Sequence, residues 1–116
     1  QVEGEPSWVS HCHCLSCRRN TGCAVVTFLG YPSEKVTFTH GTLSTYHSSP
    51  GVRRGFCKVC GTPMSFEADR FPGEIHLYIS AMENPDDFLP QRHVHYAEKI
   101  SWFDTDDNLP RSRCSG

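Results

Sequence analysis

The chain has 116 residues, enough for one small domain built on a single core. Its formal net charge is −2, so it lacks the basic footprint of a nucleic-acid-binding protein. No apolar run approaches the roughly 20 residues that cross a bilayer, which sets a membrane-spanning role aside.

In chain order, Val2 to Pro6 has no succession of basic, hydrophobic and small residues such as a signal peptide shows. The sequence opens on Gln1 rather than Met, so a native N-terminal portion is expected upstream. After a first cysteine cluster, Ala24 to Leu29 is β-branched and aromatic and stops at Gly30, Pro32 and Ser33, which predicts a strand closed by a turn. Lys35 to Thr39 alternates Val36 and Phe38 with polar neighbours. With His40-Gly41 as the turn and Leu43 to His47 as the partner, it predicts a hairpin. Ser48 to Gly51 reads as a plain loop.

Val52 to Phe56 leads into Cys57 and Met64 to Glu67 leads away from Cys60, so this second cysteine pair is expected at a turn between strands. Ile75, Leu77 and Ile79 alternate with His76, Tyr78 and Ser80, which predicts a half-buried strand with one face packed inward. Asn84 to Asp87 can start only a short helical turn before Pro90. His93 to Tyr96 is a candidate last strand, and Asp104 to Gly116 reads as a polar, mobile tail. The expected fold is mostly β, a single domain over residues 1–103 of antiparallel strands with short helical turns, followed by the tail 104–116.

Seven cysteines stand out: Cys12, Cys14, Cys17, Cys23, Cys57, Cys60 and Cys114. Their C-x-C and C-x-x-C spacings point to metal or redox chemistry in a reducing, cytoplasmic setting rather than to a disulfide framework. Ser10 to Arg19 reads SHCHCLSCRR, and three thiols so close together can converge on one ion. Thiolates suit zinc, and three protein ligands with a fourth position open is the pattern of a catalytic site, here one open to a thiol substrate. His11 and His13 adjoin it as alternative fourth ligands.

Cys57-Lys58-Val59-Cys60-Gly61 has zinc-knuckle spacing, with Gly61 able to take positive φ, but it needs two further ligands. A redox pair is the competing reading, although Gly61-Thr62-Pro63 is poor material for the helix such a motif opens. Cys23 and Cys114 stand alone, as a small buried hydrophobe or an exposed thiol does.

Cys12 to Gly22 (CHCLSCRRNTG), Gly51 to Phe66 (GVRRGFCKVCGTPMSF), and Pro90 to Val94 with Lys99 to Phe103 together resemble the glutathione-dependent formaldehyde-activating enzyme family over nearly the whole chain. The resemblance implies a zinc-braced β-tent fold. It also implies a catalytic-type metal at Cys12, Cys14 and Cys17, and a structural four-cysteine metal to which Cys57 and Cys60 supply half. The C-x-C pair that would complete the second metal is absent from the sequence. Val2 to Pro6 is similar to the stretch that follows that pair in the family. An N-terminal strand is therefore expected to be missing, or this member dispenses with the second metal.

The implied activity is of carbon–sulfur lyase type, the addition of glutathione to formaldehyde giving S-hydroxymethylglutathione. Zinc is the implied cofactor, and a small thiol and an aldehyde are the implied partners. A non-catalytic zinc-braced binding module is the alternative, and a redox sensor at Cys57 and Cys60 is a third reading. Arg18-Arg19 and Arg53-Arg54 are candidate grips for the two carboxylates of glutathione, with Arg18 and Arg19 favoured by nearness to the metal. His93 is either a proton carrier or, by preference, a buried strand histidine, while Trp102 and Phe103 are expected in the core.

Overall fold

A computed structural model describes residues 1–39 and 43–115. The expectation of a mostly β fold holds. Among the described residues seven strands form one sheet: β1 (Trp8–Cys12), β2 (Val26–Pro32), β3 (Leu43–Ser49), β4 (Val52–Cys57), β5 (Pro63–Ala68), β6 (Glu74–Tyr78) and β7 (Arg92–Val94). Their spatial order is β3-β4-β5-β6-β2-β1-β7. The neighbours run antiparallel except for β1 and β7, which pair in parallel through Ser10 with Arg92, His11 with His93 and Cys12 with Val94. One α-helix is present among the described residues, α1 (Leu15–Thr21), and no described helix is long and apolar enough to cross a membrane.

The period-two alternation of β2 and β6 divides the core between the two faces of the sheet. Val26, Phe28 and Tyr78 join Cys12, Phe66, Val94 and Cys17 of α1 on one face, while Leu29, Tyr31, Ile75 and Leu77 pack with Val9 on the other. The expectation that β6 buries only one face is therefore corrected. The strand lies between β5 and β2, and His76 and Tyr78 are as buried as Ile75 and Leu77. Gly30 on β2 lets the Trp8 indole lie across the sheet, since a Cβ at this position would run into the indole ring.

The hairpin expected around residues 35–47 does not form as drawn. Its turn at His40-Gly41 lies outside the described residues, and Ser33–Lys35 is a 3-10 turn. Val36 bridges Val2 instead, with Glu3 N–H donating to Lys35 O at 2.9 Å. The partner of β3 is β4, and the stretch read as a plain loop is their tight turn, with Pro50-Gly51 at its tip and Gly51 at φ 74°.

The segment after Phe103 is polar as expected, but it is not a loose tail. His93 N–H donates to Pro110 O at 2.9 Å and Ser112 N–H to His93 O at 2.8 Å, so the segment covers the outer edge of β7. Arg111 donates to Asp107 at 2.7 Å and steadies it. Trp102 is also corrected. It is 77 % exposed and meets Phe103 edge-on at 6.4 Å instead of entering the core.

Candidate metal centre

Cys12 ends β1, Cys14 caps the N-terminus of α1, and Cys17 sits in its first turn. Cysteine takes the usual Ser/Asp role here: Cys14 has extended backbone (φ −67°, ψ 144°) and its Sγ accepts the Cys17 N–H at 3.3 Å. The helix stops at Gly22, whose φ of 71° places it in the left-handed region while its N–H donates to Arg18 O. This strand–cap–helix path brings the three Sγ atoms within 4.8 Å of one another, with Cys12 and Cys17 3.8 Å apart.

Three soft donors at this spacing fit zinc. Tetrahedral Zn–S bonds of about 2.3 Å place sulfurs about 3.8 Å apart. The sulfurs also share protons unequally. The thiols of Cys12 and Cys17 donate toward Cys14 and hold it well below the ordinary thiol range, whereas those same interactions and burial push Cys12 far up. These contacts favour one thiolate, and the other two sulfurs would release protons on binding a metal.

A buried cation stands against this cluster. Arg54 on β4 is only 4 % exposed, and both of its Nη atoms lie 3.7 Å from Cys17 Sγ. Its Nη1 also donates to Tyr78 Oη at 2.8 Å, and that hydroxyl donates to Asn20 Oδ1 at 2.7 Å. Nε donates to Ser48 Oγ at 3.3 Å, and the guanidinium lies 4.9 Å over the Phe66 ring. Burial pushes the Tyr78 phenol up to about 12, so it remains a neutral hydroxyl.

Cys12, Cys14, Cys17 and Arg54 open onto a cavity of about 450 Å³. Trp8, Phe28, Phe66 and Phe71 form its apolar wall, and His76, Glu74, Arg70 and Arg92 are among its polar groups. Arg70 lies over the Phe71 ring at 4.9 Å, and the Nε of Arg92 is buried with no hydrogen-bond partner among the described residues. A three-sulfur set at the wall of a cavity lined by both aromatic and polar side chains, with Arg70 and Arg92 lacking ion-pair partners among the described residues, suits a small anionic ligand that carries a soft donor.

The sequence pattern of the family described as "Glutathione-dependent formaldehyde-activating enzyme" matches residues 1–98. The chain belongs to the glutathione-dependent formaldehyde-activating enzyme family. No curated protein is matched by the sequence.

Within this family framework, the predicted residues separate spatially. The three-cysteine cluster includes neither neighbouring histidine: His11 Nδ1 is 2.7 Å from Thr27 Oγ1, and His13 Nε2 is 2.8 Å from His93 Nδ1. Arg18 donates to His13 O and Glu98 O at 3.1 and 2.8 Å, a backbone clamp, while Arg19 is exposed, and neither lines the cavity. Of the second pair, Arg53 meets exposed Asp69 at 2.9 Å and Arg54 reaches the sulfurs.

Cys57 and Cys60 do form a turn between strands, closed by Gly61 N–H donating to Cys57 O at 2.8 Å. Cys60 is exposed, and Thr62 beside it holds its thiol below the usual range. No third candidate ligand joins the pair among the described residues. Cys23 and Cys114 are exposed. His93 is fully buried with both ring nitrogens engaged, Nδ1 by His13 and Nε2 by Asp107 at 3.2 Å.

Sequence reasoning named Arg54 only as a candidate grip for carboxylates and missed its contact with Cys17, and it missed Tyr78 and His76 as site residues. The one available signal was alternation: Arg54 falls between Val52 and Phe56 on one face of β4, and His76 and Tyr78 share the face of β6 opposite Ile75 and Leu77.

Proposed function

We propose that the chain is a zinc-dependent carbon–sulfur lyase that joins glutathione and formaldehyde into S-hydroxymethylglutathione and cleaves the adduct in the reverse direction. The observation that carries this reading is the convergence of Cys12, Cys14 and Cys17 on one cavity wall with buried Arg54 beside them. Cys12, Cys14 and Cys17 would hold the metal, which when bound supplies a Lewis-acidic, thiol-seeking position at the cavity wall. Arg54 offsets the negative charge that three thiolates concentrate there, and so lowers the cost of admitting a further anionic sulfur.

Arg70 and Arg92, which face the cavity without ion-pair partners among the described residues, suit the carboxylates of glutathione better than Arg18 and Arg19 do. The cavity, with Trp8, Phe28, Phe66 and Phe71 as its apolar wall, holds thiol and aldehyde together, which removes an entropic barrier from their combination. A second metal at Cys57 and Cys60 belongs to the same proposal and requires two ligands besides these. Seven free thiols suit the reducing cytoplasm.

Metal analysis combined with exchange NMR on glutathione and formaldehyde at chemical equilibrium tests the reading. We expect one zinc at the three-cysteine centre and an exchange rate above the uncatalysed one, both lost in Cys14→Ser. Zinc binding without any acceleration would sink this substrate pair and favour the non-catalytic binding module.

A further inference from the structure

The cavity holds a second group able to do chemistry, away from the metal ligands. His76 lies on β6, paired with Gly30 of β2 and Phe66 of β5, and it is 8 % exposed. Aromatic rings surround it on three sides. Trp8 meets it edge-on at 4.6 Å, and Phe71 and Phe66 lie at 5.1 and 5.3 Å. Its Nε2 is 3.2 Å from Oε1 of Glu74, two residues earlier on the same strand. A carboxylate only accepts, so Nε2 carries the hydrogen and the lone pair sits on Nδ1, which has no partner among the described residues. Both side chains line the cavity that the three cysteines share.

The thiol–aldehyde reaction needs a group of this kind. The S–H bond must break, and the carbonyl oxygen must gain a proton when the C–S bond forms. We infer that His76 is a catalytic residue that takes the thiol proton on Nδ1 and returns it to the aldehyde oxygen, with Glu74 as the positioning residue that fixes its tautomer.

The step balances without a further reactant. The proton leaves sulfur for Nδ1, the sulfur pair forms the C–S bond, the C=O π pair moves to oxygen, and the same proton closes the hydroxyl. Nothing is oxidised or reduced, and the imidazole ends as it began. The surroundings keep the ring in the form the step requires. Burial lowers its pKa below the ordinary histidine value, Glu74 opposes this, and Arg70 adds to the lowering; the remaining side chains packed on it, Trp8, Phe28, Phe66 and Phe71, carry no charge. The ring is therefore neutral at pH 7, with the Nδ1 lone pair able to take a proton.

The inference rests on the proposed glutathione–formaldehyde reaction, and the test separates the two. Exchange NMR is run on the zinc-loaded full chain from about pH 5 to about pH 9. The wild-type rate should fall on the acid side as His76 becomes protonated. His76→Gln should lose about 100-fold or more of the acceleration together with that acid limb, while calorimetric glutathione affinity stays within about threefold. Glu74→Gln alters a side chain that is 42 % exposed, so the fold tolerates it. Its acid limb should move to lower pH, because the one group that raises the His76 pKa is gone.

A His76→Gln enzyme that keeps its rate and limb overturns the inference, as does one whose glutathione affinity falls in step with its rate. An unmoved limb in Glu74→Gln overturns it too. In each of these cases the wild type still accelerates exchange and the parent reading stands, whereas a zinc-loaded wild type without acceleration overturns both.

Discussion

Replacing Arg54 with methionine removes the buried cation from the thiolate cluster and keeps much of the side-chain volume. Two Nη atoms at 3.7 Å from Cys17 Sγ make the contact a charge-assisted one. At that separation the attraction to a thiolate is about 4 kcal/mol for an effective dielectric of about 20, before desolvation is subtracted. What survives is of the order of a hydrogen bond to a charged group, roughly 1.5–3 kcal/mol. Outer-shell partners of metal ligands typically change affinity by about 10- to 100-fold, which agrees with that range. Arg54→Met is therefore expected to weaken zinc binding by about 10- to 100-fold, measured by competition with a chromophoric chelator at fixed pH.

Arg54→Lys keeps the charge but loses the fork that reaches Cys17 and Tyr78 together, and should fall in between. Arg53→Met is the control, because Arg53 only pairs with exposed Asp69. An Arg54→Met affinity within about threefold of wild type, or an equal loss in Arg53→Met, would refute the charge-offset argument.

Zinc at about 100 times its dissociation constant should add about 2.7 kcal/mol to folding stability, a rise of about 10 °C in Tm for a domain of this size. A chelator should reverse the rise, and Cys14→Ser should show none. The rise should shrink as pH falls, because protons compete for the Cys12 sulfur, which is held above the usual thiol range. A pH-independent rise would contradict the assignment. At the far end of the chain, Asp107→Asn should speed hydrogen exchange at the Ser112 and His95 amides, since Asp107 ties the segment to His93 and Arg111. The Thr105 hydroxyl leads the interactions that hold this carboxyl below its usual range. Its contribution is then complete above the unfolded carboxylate pKa of about 3.9 and is lost only below it, so protection that fades between pH 7 and pH 5 would count against the argument.

The three-cysteine centre was legible because its ligands are local: the C-x-C-x-x-C spacing by itself delivers Cys12, Cys14 and Cys17 to one point once β1 hands over to α1. The strands were legible from β-branched and aromatic content in β2, from the runs flanking the second cysteine pair in β4 and β5, and from period two in β6. Helix α1 was not foreseen, since its cap is a cysteine, although Arg18 and Arg19 ahead of Gly22 were a C-terminal signal. The failed strand at Lys35 to Thr39 shows alternation overridden by a non-local partner, Val2. His76 was invisible as a site residue because polarity on an alternating strand reads as solvent-facing, and Arg54 was singled out only as a grip for carboxylates, its contact with the sulfurs being made by the tertiary fold that closes a cavity over that side. Asp107 was hidden for a related reason, as the partner of a buried histidine that stands 14 residues earlier.

The parallel pairing of β1 with β7 also bears on how the molecule assembles. Ser10 Oγ meets Arg92 O across 82 residues of chain, whereas the three sulfurs lie within one short segment. The thiol cluster can gather as soon as its own stretch is synthesised, but the wall carrying Arg92 and Val94 arrives only when the last strand docks. Such a long loop closure is slow compared with local turns. Binding of a metal at the three sulfurs should therefore precede completion of the cavity, leaving an interval in which the cavity is still open to water.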